Sequence, residues 1–179
     1  MIRRLSGFLT MLIIVSSTLT AQNKFIGTKM CAPCHRTEKQ GKQLEIWQKS
    51  KHAEAYKVLT TAQANEIAKS KGFTTPAAET ADCLQCHAVQ ADAKLVEKTF
   101  SMNDGVQCET CHGPGSAYKS IPVMKDHAKS VAAGVTEFKD EAAIEAKCKT
   151  CHNEKSPTFK GFKFEEYWGK IKHLVPKAG

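Results

Sequence analysis

The sequence predicts a mostly α-helical chain with little β structure, its helices and loops wrapped around covalently attached prosthetic groups. Three observations predict it. A Cys-x-x-Cys-His unit occurs four times and uses all eight cysteines. Hydrophobic residues make up 41% of a chain that includes an apolar leader, which leaves a thin supply for a core. The stretches with clear periodicity repeat at helical rather than strand spacing.

The first 21 of the 179 residues read as a segment outside the fold. Arg3 and Arg4 precede an uncharged run from Leu5 to Leu19, and small residues follow up to Ala21. A basic start, a short apolar stretch and a small-residue exit describe a secretory signal peptide. Residues 1–21 are therefore expected to be removed, leaving 22–179 as a single exported domain in the periplasm. The rival reading is a retained anchor. Leu5 to Asn23 is 19 residues without a charge, near the lower limit of a membrane span, but its Ser and Thr content suits lipid poorly. Membrane attachment is expected only if this segment stays.

The repeated unit decides the chemistry. Its copies are Cys31-Ala32-Pro33-Cys34-His35, Cys83-Leu84-Gln85-Cys86-His87, Cys108-Glu109-Thr110-Cys111-His112 and Cys148-Lys149-Thr150-Cys151-His152. This is the attachment signature of c-type haem. Two thiols three residues apart can reach the two vinyl groups of one haem, and the next residue presents an imidazole to the iron. Zinc ribbons, disulfides and thioredoxin-like pairs also use Cys-x-x-Cys. None of them needs histidine directly after every second cysteine. With 7 histidines in 179 residues, four such neighbours arise by chance roughly once in a few hundred thousand sequences. The expectation is four covalent haem c groups, with His35, His87, His112 and His152 as proximal ligands.

Three histidines remain for the opposite faces: His52, His127 and His173. Four irons and three spare imidazoles imply three bis-histidine haems and one open or weakly filled face. Met30, Met102 and Met124 are also potential axial ligands, but each reads better as packing.

The elements follow in order. Motif one leads into a helix from Ile46 to Leu59, on which His52 shares a face with Tyr56 and Leu59. A second helix is expected over Thr61 to Lys71, ended by Gly72 with Pro76 beyond. Motifs two and three lie 25 residues apart, which predicts neighbouring haems. Lys94 to Met102 reads as a short strand pair or an extended loop. Gly113-Pro114-Gly115 is a turn. His127 opens a short Ala-rich helix, Asp140 to Ala146 runs as a helix into motif four, and His173 ends an aromatic helix that begins at Phe164.

The formal charge of +8 becomes +6 once Arg3 and Arg4 are removed. Two propionates on each haem bring about eight negative charges, which the lysine excess offsets. Nucleic acid is not an expected partner, because arginine is scarce and no recognition motif occurs. The expected partners are redox proteins with acidic docking surfaces. The chain reads as an electron carrier rather than an enzyme, with low potentials where both axial ligands are histidine. The alternative is binding or redox catalysis of a small nitrogen oxide at a five-coordinate haem held by His87.

Three blocks carry a family resemblance. They are motif one followed by Trp47 and Ser50-Lys51-His52-Ala53-Glu54-Ala55, the Cys108-to-Gly115 block, and Phe162-Lys163-Phe164-Glu165-Glu166 before His173. Together they resemble the tetrahaem cytochrome c-554 family, electron carriers in ammonia oxidation, and its multihaem relatives. The resemblance implies axial pairs His35–His127, His112–His52 and His152–His173, with no histidine opposite His87. One departure is the connection between motif four and the last helix, Asn153 to Gly161, which is shorter than the family's and changes what covers the open haem face.

Overall fold

A computed structural model describes residues 22–176, and the predicted signal peptide lies outside them. Among the described residues the chain forms ten helices and no β-sheet, in line with the expected class. The helices are α1 (Thr28–His35), α2 (Gln43–Gln48), α3 (Ala55–Leu59), α4 (Ala62–Ser70), α5 (Ala81–His87), α6 (Cys108–His112), α7 (Ile121–Met124), α8 (His127–Ala132), α9 (Glu141–Lys149) and α10 (Phe164–Ile171). The stretch 94–102 contributes one isolated parallel bridge, Phe25 to Val96, and otherwise runs as turns and loop.

Local signals account for several helix starts. Thr61 caps α4 by accepting from the Ala64 amide at 3.2 Å. Asp126 and Asp140 cap α8 and α9 in the same way, on Lys129 and Ala143. Each cap satisfies an amide that has no partner within its own helix.

The expected long helix from Ile46 to Leu59 is broken. α2 stops at Gln48, residues 51–54 form a turn, and α3 starts at Ala55. The break falls at His52, whose carbonyl accepts hydrogen bonds from the amides of Ala55 at 3.2 Å and Val106 at 3.0 Å. Trp47 Nε1 donates to the Val106 carbonyl at 2.8 Å. A tertiary clamp on the segment entering motif three therefore overrides local helix propensity. Gly105 makes the clamp possible: its φ is +70°, and a Cβ there would lie 2.6 Å from the His52 oxygen.

The apolar core is small. Buried hydrophobics number ten among the described residues, four of them alanine. One cluster joins α3, α4 and α5 through Leu59, Ala64, Ala68, Leu84 and Ala88, with Ala77 from the turn between α4 and α5. Tyr56, Met102 and Cys83 pack on its edge. Ala64 and Ala68 lie four residues apart, so their small side chains form one face on which the other elements approach closely.

The largest fully buried side chains lie elsewhere, where the start of α1 meets α6. Ile26, Gln107 and Glu109 are 1%, 2% and 3% exposed. Gln107 Oε1 accepts from the Thr28 amide at 3.3 Å and its Nε2 donates to the Ser101 carbonyl at 2.8 Å. Glu109 accepts from the amides of Ile26 and Gly27. Gly27, the N-cap of α1, provides no side chain of its own. The residues on either side of Cys108 thus cap the motif-one helix from a distant part of the chain.

Candidate functional site

Each Cys-x-x-Cys-His unit lies on or at the end of a helix. Motif one ends α1, motif two ends α5, motif three makes up α6, and motif four starts in the last turn of α9 and finishes just past it. Positions i, i+3 and i+4 of a helix share a face. Both thiols and the histidine of a unit can therefore address one planar group. None of the eight cysteines is paired in a disulfide.

The motifs meet in pairs that sequence spacing did not predict. The Cys31 and Cys108 thiols are in hydrogen-bonding contact, with Cys31 holding its proton: the Cys108 sulfur raises its pKa first, then burial. Cys86 is pushed up to about 11 by burial and by the adjacent Cys151 thiol. Motif three therefore sits against motif one, and motif two against motif four. Packing of α1 on α6 holds the first of these pairs together. On its other side, Cys111 faces Cys148 and Cys151.

Hydrogen bonds prepare the imidazoles for metal binding. His87 Nδ1 lies 2.8 Å from the Ala55 carbonyl, and His173 Nδ1 lies 2.8 Å from the Ile171 carbonyl. A carbonyl can only accept, so Nδ1 carries the proton in both and Nε2 is free to ligate. His35 Nδ1 is held by Gln43 Oε1. Burial, then His173 and His35, push the pKa of His112 down to about 4. Burial first, then His152, lowers that of His52, and burial lowers that of His152. These rings are held neutral, the form that binds iron.

Two facing pairs stand out. His52 and His152 have ring centroids 6.0 Å apart, and so do His112 and His173. Two imidazoles on one iron need about 2 Å from metal to each nitrogen and about 1 Å more to each ring centre, hence about 6 Å between centres. The residues present fit a haem iron in both places. These pairs differ from those the resemblance implied: here the His52 ring lies beside that of His152, and His173 beside His112. The clamp on Val106 places His52 at this junction, and the end of α10 delivers His173 to motif three. A cavity lined by Trp47, His52, Cys108, Cys111, His112 and His173 lies at the same junction.

His127 is placed differently. Its side chain is 75% exposed and its Nε2 lies 2.7 Å from Glu137 Oε1. The structure does not bring it to His35. Phe162 stacks on His152 at 4.8 Å, and Tyr167 stacks on Phe162 at 5.4 Å.

Comparison with known proteins points the same way as the repeated Cys-x-x-Cys-His unit. The profile of a family described as "Cytochrome c554 and c-prime" matches residues 30–113, which hold the first three motifs. The cytochrome c-554 of Nitrosomonas europaea is 32% identical over 159 residues, covering 82% of this chain and 65% of the relative. The chain belongs to the cytochrome c554 family. It is also 32% identical over 78 residues to the C-type polyheme cytochrome OmcC of Geobacter sulfurreducens, covering 40% of this chain and 9% of that protein. The chain thus spans about two thirds of the first relative and about a tenth of the second. No solved structure matches it significantly. As a multihaem c-type cytochrome, it uses Cys-x-x-Cys-His to hold haem c covalently.

Sequence reasoning missed Glu109, Gln107 and Phe162 as parts of the site. The first two flank Cys108, but their partners lie about 80 positions upstream, and no local pattern announces such a cap. Phe162 was noted only for its place in a family block.

Proposed function

We propose that this chain is an exported, periplasmic tetrahaem cytochrome that passes electrons through mostly bis-histidine haems. The observation that carries the reading is the pair of facing imidazole couples, His52 with His152 and His112 with His173, at a separation that suits one iron each. Bound haem c supplies one-electron redox chemistry. The residues' part is to tether it by two thiols, offer neutral imidazoles and exclude water. Contacts between motifs one and three, two and four, and three and four favour close spacing of all four groups. Histidine on both faces, without methionine, favours low potentials. The proposed partners are redox proteins with acidic docking surfaces.

The test is a haem count by mass together with a count of spin states in the oxidised exported protein. Four covalent haems, at least two of them low-spin, are expected. Colourless protein, or thiols bound to another metal, refutes the reading. Added nitric oxide tests the alternative of ligand binding at the haem held by His87: a response confined to one high-spin haem favours that alternative, and four low-spin haems without response exclude it.

A further inference from the structure

Glu109 is a buried carboxylate that capping alone does not explain. It is 3% exposed. Oε1 accepts from the Ile26 amide at 2.9 Å and the Gly115 amide at 2.7 Å, while Oε2 accepts from Ile26 at 3.1 Å and Gly27 at 2.7 Å. Every bond it makes is one it accepts, the pattern of an ionised carboxylate. None of the ion pairs among the described residues includes it. A carboxylate is an ordinary acceptor at a helix start, as at Asp126 and Asp140, but those two caps lie at the surface while Glu109 is buried. An uncompensated charge is costly to bury.

Its neighbours give the charge a use. Glu109 follows Cys108 directly, and its field adds to the upward shift of the Cys31 thiol, after the Cys108 sulfur and burial, and of the Tyr118 hydroxyl, after burial; the Cys108 thiol, lowered chiefly by its contact with Cys31, feels the same field in opposition. These two thiols are attachment points of motifs one and three. Gly115 and Ile26 wall the carboxylate off from water: a Cβ at Gly115 would meet Ile26 Cδ1 at 2.7 Å. A fixed charge in a water-excluded, low-dielectric setting acts far more strongly than one at the surface.

We infer that Glu109 is a fixed negative charge that lowers the reduction potentials of the haems attached through motifs one and three. The inference rests on the haem reading above. Reduction adds one electron to each ferric iron. A nearby carboxylate disfavours that gain and stabilises the oxidised state. Glu109 is not among the charges that shift the Cys83, Cys86 and Cys148 thiols of motifs two and four, so the haems held there feel it less. The result is a potential difference between the two halves, which orders electrons toward motifs two and four.

Potentiometric titration of the four-haem holoprotein tests it, with E109Q removing the charge and E109D keeping it. Two of the four midpoint potentials are expected to rise in E109Q and to stay near wild type in E109D, with the other two unmoved in both. An E109Q holoprotein with four unshifted haems overturns the inference while leaving the haem reading intact. So does an equal shift in E109D. If E109Q yields no holoprotein, redox-difference infrared spectra of the wild type labelled with 13C-glutamate decide it. A carboxylate band that moves as the first haems are reduced supports the charge; a protonated carboxylic band from a buried glutamate in the oxidised protein refutes it.

Discussion

The imidazoles of His52 and His152 face one another across 6.0 Å, although His52 lies in the turn after motif one and His152 closes motif four. His112 and His173 repeat the geometry. Each pair takes one member from an attachment motif and the other from a segment remote in sequence, so the ends of the chain are locked together through the sites.

These pairs assign ligands in a way that substitution can check. His52→Ala is expected to turn the haem of motif four, rather than that of motif three, from low-spin to high-spin. His173→Ala is expected to do the same at motif three. Each single variant should gain one high-spin haem in electron paramagnetic resonance, and the double variant two. In a background lacking Cys148 and Cys151, His52→Ala should add no high-spin haem. If it still adds one, the pairing is wrong.

The position of His52 depends on Gly105. An alanine there would have to adopt φ near +70° and place its Cβ 2.6 Å from the His52 carbonyl. Strain of this kind costs about 1–3 kcal/mol, and relief requires moving the turn that carries the imidazole. Gly105→Ala should lower the thermal midpoint of the holoprotein and raise its high-spin fraction together. A stability loss with unchanged spin state would show that His52 is held by something else.

Gln107 offers a purely structural counterpart. Its amide group joins the Thr28 amide to the Ser101 carbonyl in a position only 2% exposed. Gln107→Ala leaves both backbone groups without this partner, at about 1–3 kcal/mol. Denaturant unfolding should report that loss, with the haem count and spin states of folded protein unchanged.

Much of this architecture was legible in the sequence because its causes are local. The attachment motifs are read directly from Cys31 to His152, and the helix starts expected at Thr61, His127 and Asp140 are borne out to within a residue. Periodicity around His52 pointed to a continuous helix, yet the Val106 amide draws its carbonyl out of the helical ladder. Separation along the chain said nothing of the pairing of motif one with motif three or of motif two with motif four, which rests on packing of α1 on α6 and on the approach of Cys86 to Cys151. Glu109 was hidden for a similar reason. A glutamate between two haem cysteines looks exposed until Ile26, Gly27 and Gly115 close over it.

The aromatic stack beside motif four yields the last prediction. Phe162 lies parallel to the His152 ring within 17°, and Tyr167 lies parallel to Phe162 within 10°. A flat ring on one side of the imidazole limits its rotation about the axis it would share with the iron. Aromatic pairs of this kind contribute about 0.5–1.5 kcal/mol beyond area burial, enough to bias one ring orientation without fixing the ligand itself. Phe162→Ala should therefore keep the motif-four haem low-spin while shifting its g-values, because the angle between the two axial imidazole planes, 52° for His52 and His152, is no longer held. Phe162→Tyr, which keeps the flat face, should restore the wild-type signal. If the haem becomes high-spin in Phe162→Ala, Phe162 holds His152 in place rather than merely orienting it; if neither variant changes the spectrum, the stack has no hold on the ligand plane.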